Sequence, residues 1–251
     1  MAKSALERIR RAAGKAIGDF NLIEAGDRIA VGVSGGKDSL ALMLVLEELR
    51  KRAPIRYELI GVTIDPAFPG FPAAAIGAFL ALRGLAFYIE KTDIAAVLEA
   101  KLRPGSSPCS FCARLRRGIL YTTAERLGCN KVALGHHLDD FIETLLLNQF
   151  FSGTLAAMSP RMLADNGRQT VIRPFFTVEE QEVSRLVQEE GVPVFENPCP
   201  ARVEDQKRLR IKKLIEELRA EIPYLKESLL HALQNVQPRH LADGRLWRNE
   251  P

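Results

Sequence analysis

Ten residues constrain this chain more than any others: Val31-Gly32-Val33-Ser34-Gly35-Gly36-Lys37-Asp38-Ser39-Leu40. The pattern reads as a buried strand that runs through a glycine-rich turn straight into a helix. Two glycines let the backbone close on an anion and aim amide N–H groups at it, and the helix that follows adds its partially positive N-terminus. Lys37 brings a full positive charge to the same place. ATP is therefore the first ligand to expect.

The spacing excludes two better-known phosphate loops. A Walker A loop needs Gly six residues before the Lys and Ser or Thr after it, and here Val31 and Asp38 hold those positions. A dinucleotide fold needs G-x-G-x-x-G, which is absent. Ser34-Gly35-Gly36-Lys37-Asp38-Ser39 resembles the pyrophosphate loop of the ATP pyrophosphatases, which cut ATP between its α and β phosphates and leave AMP on an acceptor. An ordinary glycine-rich turn would have no reason to gather Ser, Lys, Asp and Ser.

The rest of the chain supplies the frame for such a loop. Strand-like apolar runs recur at 28–33, 57–64, 85–90 and 131–135, separated by helical patterns. This alternation predicts an α/β fold, a doubly wound parallel sheet with helices on both faces and ligands at the carboxyl ends of the strands. Residues 4–20 read as an amphipathic helix with Leu6, Ile9, Ala13 and Ile17 on one side. Beyond Pro174 helices dominate, at about 178–190, 203–220 and 222–235. The expected organisation is an N-terminal helix over 1–24, an ATP-binding domain over 25–200 and a basic helical region over 201–251.

At 251 residues, 47% of them hydrophobic, the chain is long enough to bury its own core. It lacks an apolar run of the ~20 residues that span a bilayer, and its start is charged, so the expectation is a cytoplasmic protein with no membrane partner. The formal charge of +4 is unevenly placed. Residues 101–135 hold seven Lys or Arg against one acid, and 1–20 and 202–219 each carry a net +3. Such patches attract phosphates, those of nucleic acid among them, although solvated helix faces look the same in sequence.

Four cysteines in a cytosolic chain are read by spacing rather than as disulfides. Cys109 and Cys112 form a C-x-x-C that follows the loop Pro104-Gly105-Ser106-Ser107-Pro108 and opens the helix carrying Arg114, Arg116 and Arg117. Cys199 stands between Pro198 and Pro200. A lone C-x-x-C is open to zinc, to a redox disulfide or to an iron–sulfur cluster. No His lies near these cysteines in sequence to complete a zinc site, and three thiolates suit a cubane whose fourth iron stays open. Cys129 leads into a strand and reads as a core residue, with a ligand role as the alternative.

Two further positions flank the expected nucleotide. Asp65 ends the second strand before a Pro-rich loop, where a carboxylate meets ribose hydroxyls or simply forms the turn. Ala133-Leu134-Gly135-His136-His137-Leu138-Asp139-Asp140-Phe141-Ile142-Glu143-Thr144 joins another strand to another helix. Gly135 there lets a base or ribose approach closely. Asp139 and Asp140 are either first-turn caps or, beside a triphosphate, Mg²⁺ ligands and polarising groups.

Taken together, the Ser34–Ser39 loop, Cys109-Ser110-Phe111-Cys112-Ala113-Arg114-Leu115-Arg116-Arg117-Gly118, Gly135-His136-His137-Leu138-Asp139-Asp140 and Pro198-Cys199-Pro200 resemble the TtcA family. The likeness continues into Leu233-Gln234-Asn235-Val236-Gln237-Pro238-Arg239-His240-Leu241-Ala242-Asp243 and so covers nearly the whole chain. The family often shows a second C-x-x-C near Cys199; here Arg202 stands in its place. What the resemblance implies is an adenine nucleotide α-hydrolase-like fold and an ATP-dependent tRNA sulfurtransferase that converts an anticodon-loop cytidine to 2-thiocytidine. It implies a [4Fe-4S] cluster on Cys109, Cys112 and Cys199, ATP and Mg²⁺ as further cofactors, a homodimer, and a cysteine desulfurase or free sulfide as sulfur donor.

The implied chemistry is adenylation of the C2 oxygen followed by attack of cluster-bound sulfide. Lys37 and the Ser34–Ser39 loop would hold pyrophosphate, and Asp140 or Arg116 would act at the reacting oxygen. Two alternatives share the fold: a cluster-free persulfide thiouridylase, and a ligase with a nitrogen nucleophile, similar to lysidine synthetase.

Overall fold

The computed structural model describes residues 3–101, 108–199 and 205–246. They form two compact units, Met1–Leu138 with Ser159–Asp205 and Asp139–Met158 with Gln206–Pro251. Among the described residues no helix is long and apolar enough to cross a membrane.

The first unit runs α1 (Ala5–Asp19), β1 (Arg28–Gly32), α2 (Lys37–Arg52), β2 (Glu58–Asp65), α3 (Ala73–Leu82), β3 (Phe87–Lys91), α4 (Ile94–Lys101), α5 (Pro108–Arg126) and β4 (Lys131–Ala133). The chain then enters the second unit through α6 (Leu138–Leu147) and a π-helical turn (Asn148–Ser152). It returns for β5 (Arg161–Leu163), β6 (Thr170–Ile172) and α7 (Glu180–Glu189). In the second unit again, α8 (Gln206–Glu221), α9 (Leu225–Gln234) and a 3₁₀ turn at Pro238–His240 follow.

The six strands are ordered β3-β2-β1-β4-β6-β5. All pairs are parallel except β5 with β6. The expected doubly wound α/β sheet is therefore present, with two strands that the sequence reading lacks, the parallel β6 and the antiparallel edge strand β5. Both β5 and β6 are three residues long, too short to show a period, and the β5 residues are all exposed, so no apolar run marks them.

Strand periodicity sorts the interior into two cores. Ile29, Val31, Leu59, Ala133 and Ile172 face the side covered by α1, α2, α3 and α7, whereas Ala30, Val62, Ile64, Val132 and Val171 face α4 and α5. Neighbours in sequence point to opposite faces because a strand repeats every two residues. A sheet buried on both faces is apolar along its middle, as β1 is from Ile29 to Val31 and β4 is at Val132 and Ala133, whereas Lys131 at the start of β4 is buried with a carboxylate partner.

Helix α1 illustrates how local and tertiary signals agree. Ser4 caps it, accepting from the Glu7 amide at 3.2 Å, and Ala5, Ile9, Ala13 and Ala16 are buried. This apolar face packs on α2 and α7, so it belongs to the core of its own chain. Truncating a fully buried side chain such as Ile9 to Ala costs about 2–5 kcal/mol.

Candidate active site

Sheet order, not sequence, decides where the site lies. Strand β1 has β2 on one side and β4 on the other, so successive crossovers leave it in opposite directions. A crevice opens at the carboxyl ends of strands at such a reversal, and this is where open α/β sheets take ligands. The Ser34–Ser39 loop ends β1 and Gly135 ends β4, one on each side of that crevice.

The loop is fixed by its own side chains. Ser39 Oγ accepts from the Ser34 amide at 3.1 Å, donates to the Gly36 carbonyl at 2.9 Å and lies 3.2 Å from Ser34 Oγ. Gly35 has φ +87°, a conformation that side-chain-bearing residues avoid, and a Cβ there would come within 2.7 Å of the Ile76 side chain. Gly36 precedes α2 with no side-chain cap, leaving the first amides of that helix directed at the crevice. At Gly135 a Cβ would stand 2.9 Å from the Asp38 carbonyl oxygen, so only glycine lets β4 approach the first turn of α2 this closely.

Lys37 is held by two carboxylates, Asp38 at 2.7 Å and Glu180 at 2.9 Å. Burial alone would lower its pKa, but the hydrogen bonds it donates to both acids raise it above the ordinary value, so it stays charged. The buried His137 places Nε2 3.8 Å from Asp38. His136 accepts from the buried Arg173 at 3.2 Å through Nδ1. The sequence reading missed Glu180 and Arg173: each lies in a segment where nothing but the fold links it to the loop.

Asp65 Oδ1 accepts from the Ala67 amide at 2.9 Å, closing the turn before the Pro-rich loop. Helix α5 brings Cys109, Cys112 and Arg116 onto one stripe, because positions i, i+3 and i+7 share a helix face. Cys112 and Cys199 both pack against the second core. Burial raises the Cys112 thiol pKa, Arg116 opposes that rise, and the charges of Cys199 and Cys109 add to it. The three thiols are therefore electrostatic neighbours. Among the described residues no three His, Cys, Asp or Glu side chains converge on a single metal ion, a geometry that one zinc needs and a cluster, where cysteines bind separate irons, does not.

Arg116 is the cation of this region. Its guanidinium lies over the Phe71 ring at 5.5 Å and donates to the Ile64 carbonyl at 3.4 Å, while its buried Nε has no hydrogen-bond partner among the described residues. Burial lowers its pKa, against Cys112, Cys199 and Asp65, which favour the charged form. A half-buried guanidinium whose buried Nε has a donor to spare beside three thiols fits an anionic group at that spot.

A tether links thiols to loop. The Phe195 amide donates to the Gly35 carbonyl at 3.0 Å, and Cys199 follows four residues later, within ~14 Å of chain reach. Of the remaining motif residues, Pro104 to Ser107, Pro200 and Arg202 lie outside the described residues. Cys129 is buried in the second core and is set apart from this group.

In the second unit, α6 presents Asp139, Asp140 and Glu143. Asp139 pairs with the buried Lys226, and Asp140 meets Arg208 at 3.3 Å. Glu143, 2% exposed, lies 3.4 Å from Arg208 and 3.6 Å from Lys212. Burial raises the Glu143 carboxyl to about 7, against Lys212 and Arg208, with Asp140 and Asp139 raising it further.

These pairings correct the reading of basic charge as surface charge. Lys131 is buried against Asp27 at 2.7 Å, Arg126 pairs with Glu90, and Arg116 is half-buried. In α1, Arg8, Arg11 and Lys15 each have a carboxylate partner. Part of each basic stretch is thus paired with carboxylates of the same chain, in α1 at the surface.

Residues 6–218 match the family described as the PP-loop domain. The chain is 59% identical over 240 residues to the tRNA-cytidine(32) 2-sulfurtransferase of Syntrophotalea carbinolica, covering 95% of this chain and 93% of that one. It is 57% identical over 243 residues to the protein of the same name in Geobacter sulfurreducens, covering 96% and 95%. Among solved structures it is similar to the U34-tRNA thiolase NcsA from Methanococcus maripaludis with its [4Fe-4S] cluster, at a TM-score of 0.76 and 23% identity, over 93% of this chain and 80% of that one. At that identity the structural likeness speaks to the fold.

Proposed function

The chain belongs to the tRNA-cytidine(32) 2-sulfurtransferase family of PP-loop proteins, and we propose that it uses ATP to replace the C2 oxygen of a tRNA cytidine by sulfur. The observation that carries this reading is the Phe195–Gly35 hydrogen bond, which holds the segment ending in Cys199 on the phosphate loop. Activation and sulfur delivery need neighbouring sites, and this tether supplies that neighbourhood.

The C2 oxygen of a pyrimidine leaves poorly. Its attack on the α-phosphorus of ATP forms an O–P bond, expels pyrophosphate and makes the oxygen part of a good leaving group, AMP. The amides at Gly35 and Gly36 and the start of α2 would take the departing phosphates. Lys37 would exchange its contacts with Asp38 and Glu180 for phosphate oxygens. Gly135 would admit the nucleotide between β1 and β4. Asp65 is proposed at the ribose through the oxygen its turn does not use. Asp139 and Asp140, in the first turn of the helix after Gly135, are the proposed partners of Mg²⁺ and of the reacting base.

Cys109, Cys112 and Cys199 would hold the [4Fe-4S] cluster, with Arg116 balancing its charge. When bound, the cluster supplies an open iron on which sulfur is kept beside the activated base and away from water. Expulsion of AMP by the incoming sulfur completes the exchange. Arg116, a fixed cation, is proposed to steady the negative charge of the leaving phosphate.

The test is mass spectrometry of tRNA nucleosides after anaerobic incubation of the reconstituted protein with tRNA, ATP, Mg²⁺ and sulfide. The expected result is ATP-dependent 2-thiocytidine. Absence of any thiolated nucleoside with active cluster-loaded protein would overturn the reading.

A further inference from the structure

In the second unit, α6 runs without a break into the π-helical turn Asn148–Ser152, which carries Phe150 and Phe151 at 58% and 48% exposure. π-turns distort a regular helix and recur at functional positions. This one is held firmly. The Asn148 carbonyl accepts from the amides of Gly153 and Thr154, the latter at 3.0 Å, Asn148 Nδ2 donates to the Ala156 carbonyl at 2.8 Å, and Gly153 closes the turn at φ +62°. Two phenyl rings are thereby presented outward on a fixed platform, with Leu155 exposed beside them.

Positive charge accompanies the rings. Lys207 Nζ lies 4.9 Å from the centre of the Phe151 ring, and Arg210, one turn along α8, is also exposed. Rings next to cations are the recognition chemistry of unpaired RNA: bases stack on the aromatic faces while the cations meet the backbone phosphates. A purely apolar partner would leave Lys207 and Arg210 desolvated, so charge complementarity favours a polyanion.

We infer that Phe150 and Phe151, with Lys207 and Arg210, form a stacking platform for an unpaired base of the tRNA loop that flanks the reacting nucleotide. This rests on the proposed tRNA substrate and adds where part of it is gripped. Residues 150–151 lie roughly 15 Å beyond Asp140 along the same helix at ~1.5 Å per residue. That separation assigns the platform to a neighbouring base rather than to the reacting one.

The experiment compares binding of a fluorescent anticodon stem-loop to full-length protein carrying Phe151→Leu, Phe151→Tyr or Phe150→Leu. Leu keeps the apolar bulk and loses the stacking face, whereas Tyr keeps the ring. Expected are about tenfold weaker binding for each Leu variant, equivalent to ~1.4 kcal/mol for one lost stack, near-native binding for Phe151→Tyr, and unchanged ATP affinity. Leu variants that bind the stem-loop like the parent would overturn the platform, as would weakened self-association in sedimentation with intact RNA affinity, which would make the rings a contact between copies. If the parent protein itself neither binds nor thiolates tRNA, the functional reading fails rather than the platform alone.

Discussion

The phosphate loop and the α6–α8 charge cluster are both built to manage charge, and they are assembled in opposite ways. Ser34 to Ser39 closes on itself: six consecutive residues supply the amides, the bracing hydroxyls and the cation. The cluster of Asp140, Glu143, Arg208 and Lys212 joins residues more than sixty positions apart and exists only once α8 lies on α6. A local device survives as a readable motif, because spacing fixes its geometry. A long-range one leaves no such trace.

The thiol group stands between these extremes, two cysteines local and one distant, and it gives the largest expected effect. Cys199→Ala should drop thiolation by at least about 10²-fold, as misplacement of a reacting group can, while ATP binding stays within about twofold of the parent. Nucleoside mass spectrometry and ATP titration check the two halves. Equal losses of ATP binding and thiolation would show that loop and thiols are one device and not two.

Gly135→Ala probes the loop from the far side of the crevice. Its Cβ would meet the Asp38 backbone at 2.9 Å, so α2 must shift, and ATP affinity should fall about tenfold or more for a displacement of this kind. An alanine variant with parental ATP affinity would show that the loop's geometry does not depend on its contact with β4.

Arg116→Met removes the cation that opposes the rise in the Cys112 pKa. Burial and the two other thiols would then act unopposed, and the pH midpoint for Cys112 alkylation in the cluster-free protein should climb. Peptide-resolved mass spectrometry of alkylated protein reads it. A fall, or no change, would remove Arg116 from the thiol group.

The smallest effect on turnover belongs to Glu143→Gln, which instead changes stability in the metal-free protein. With its carboxyl raised from 4.5 to about 7, the folded state keeps a proton that the unfolded chain has released. Stability therefore falls as pH climbs from 4.5 to 7 and the loss is complete above 7, about 3 kcal/mol at ~1.4 kcal/mol per unit. Urea midpoints between pH 4.5 and 8 should slope downward in the parent and flatten in the variant. Identical slopes would mean that the Arg208 and Lys212 contacts keep Glu143 ionised, and the cluster would resemble an ordinary surface network.

Much of the site was legible because its parts are short. The strand–turn–helix at 31–40, the C-x-x-C at 109–112 and the glycine at 135 each announce their chemistry through residue types whose backbone demands are specific. Asp65 shows the limit: the same residue type serves a turn or a ribose, and the fold engages it in the turn through Ala67. Glu180, Arg173 and Phe195 were silent because each acts through a partner that chain distance hides. The basic stretches misled in part, since Lys131 and Arg116 look in sequence like any exposed cation, whereas Lys131 is buried and Arg116 half-buried.

By itself the sequence determined the α/β layering, the strand–turn–helix of the phosphate loop and the shared helix face of Cys109 and Cys112, because period-two and helical patterns and local turns depend on neighbours a few residues away. Only the tertiary structure decided the strand order that opens the crevice between β1 and β4, the placing of Arg116 beside the thiols, and the tether from Gly35 to Phe195. Those features rest on contacts between residues far apart in the chain, and it is packing, not local preference, that selects them.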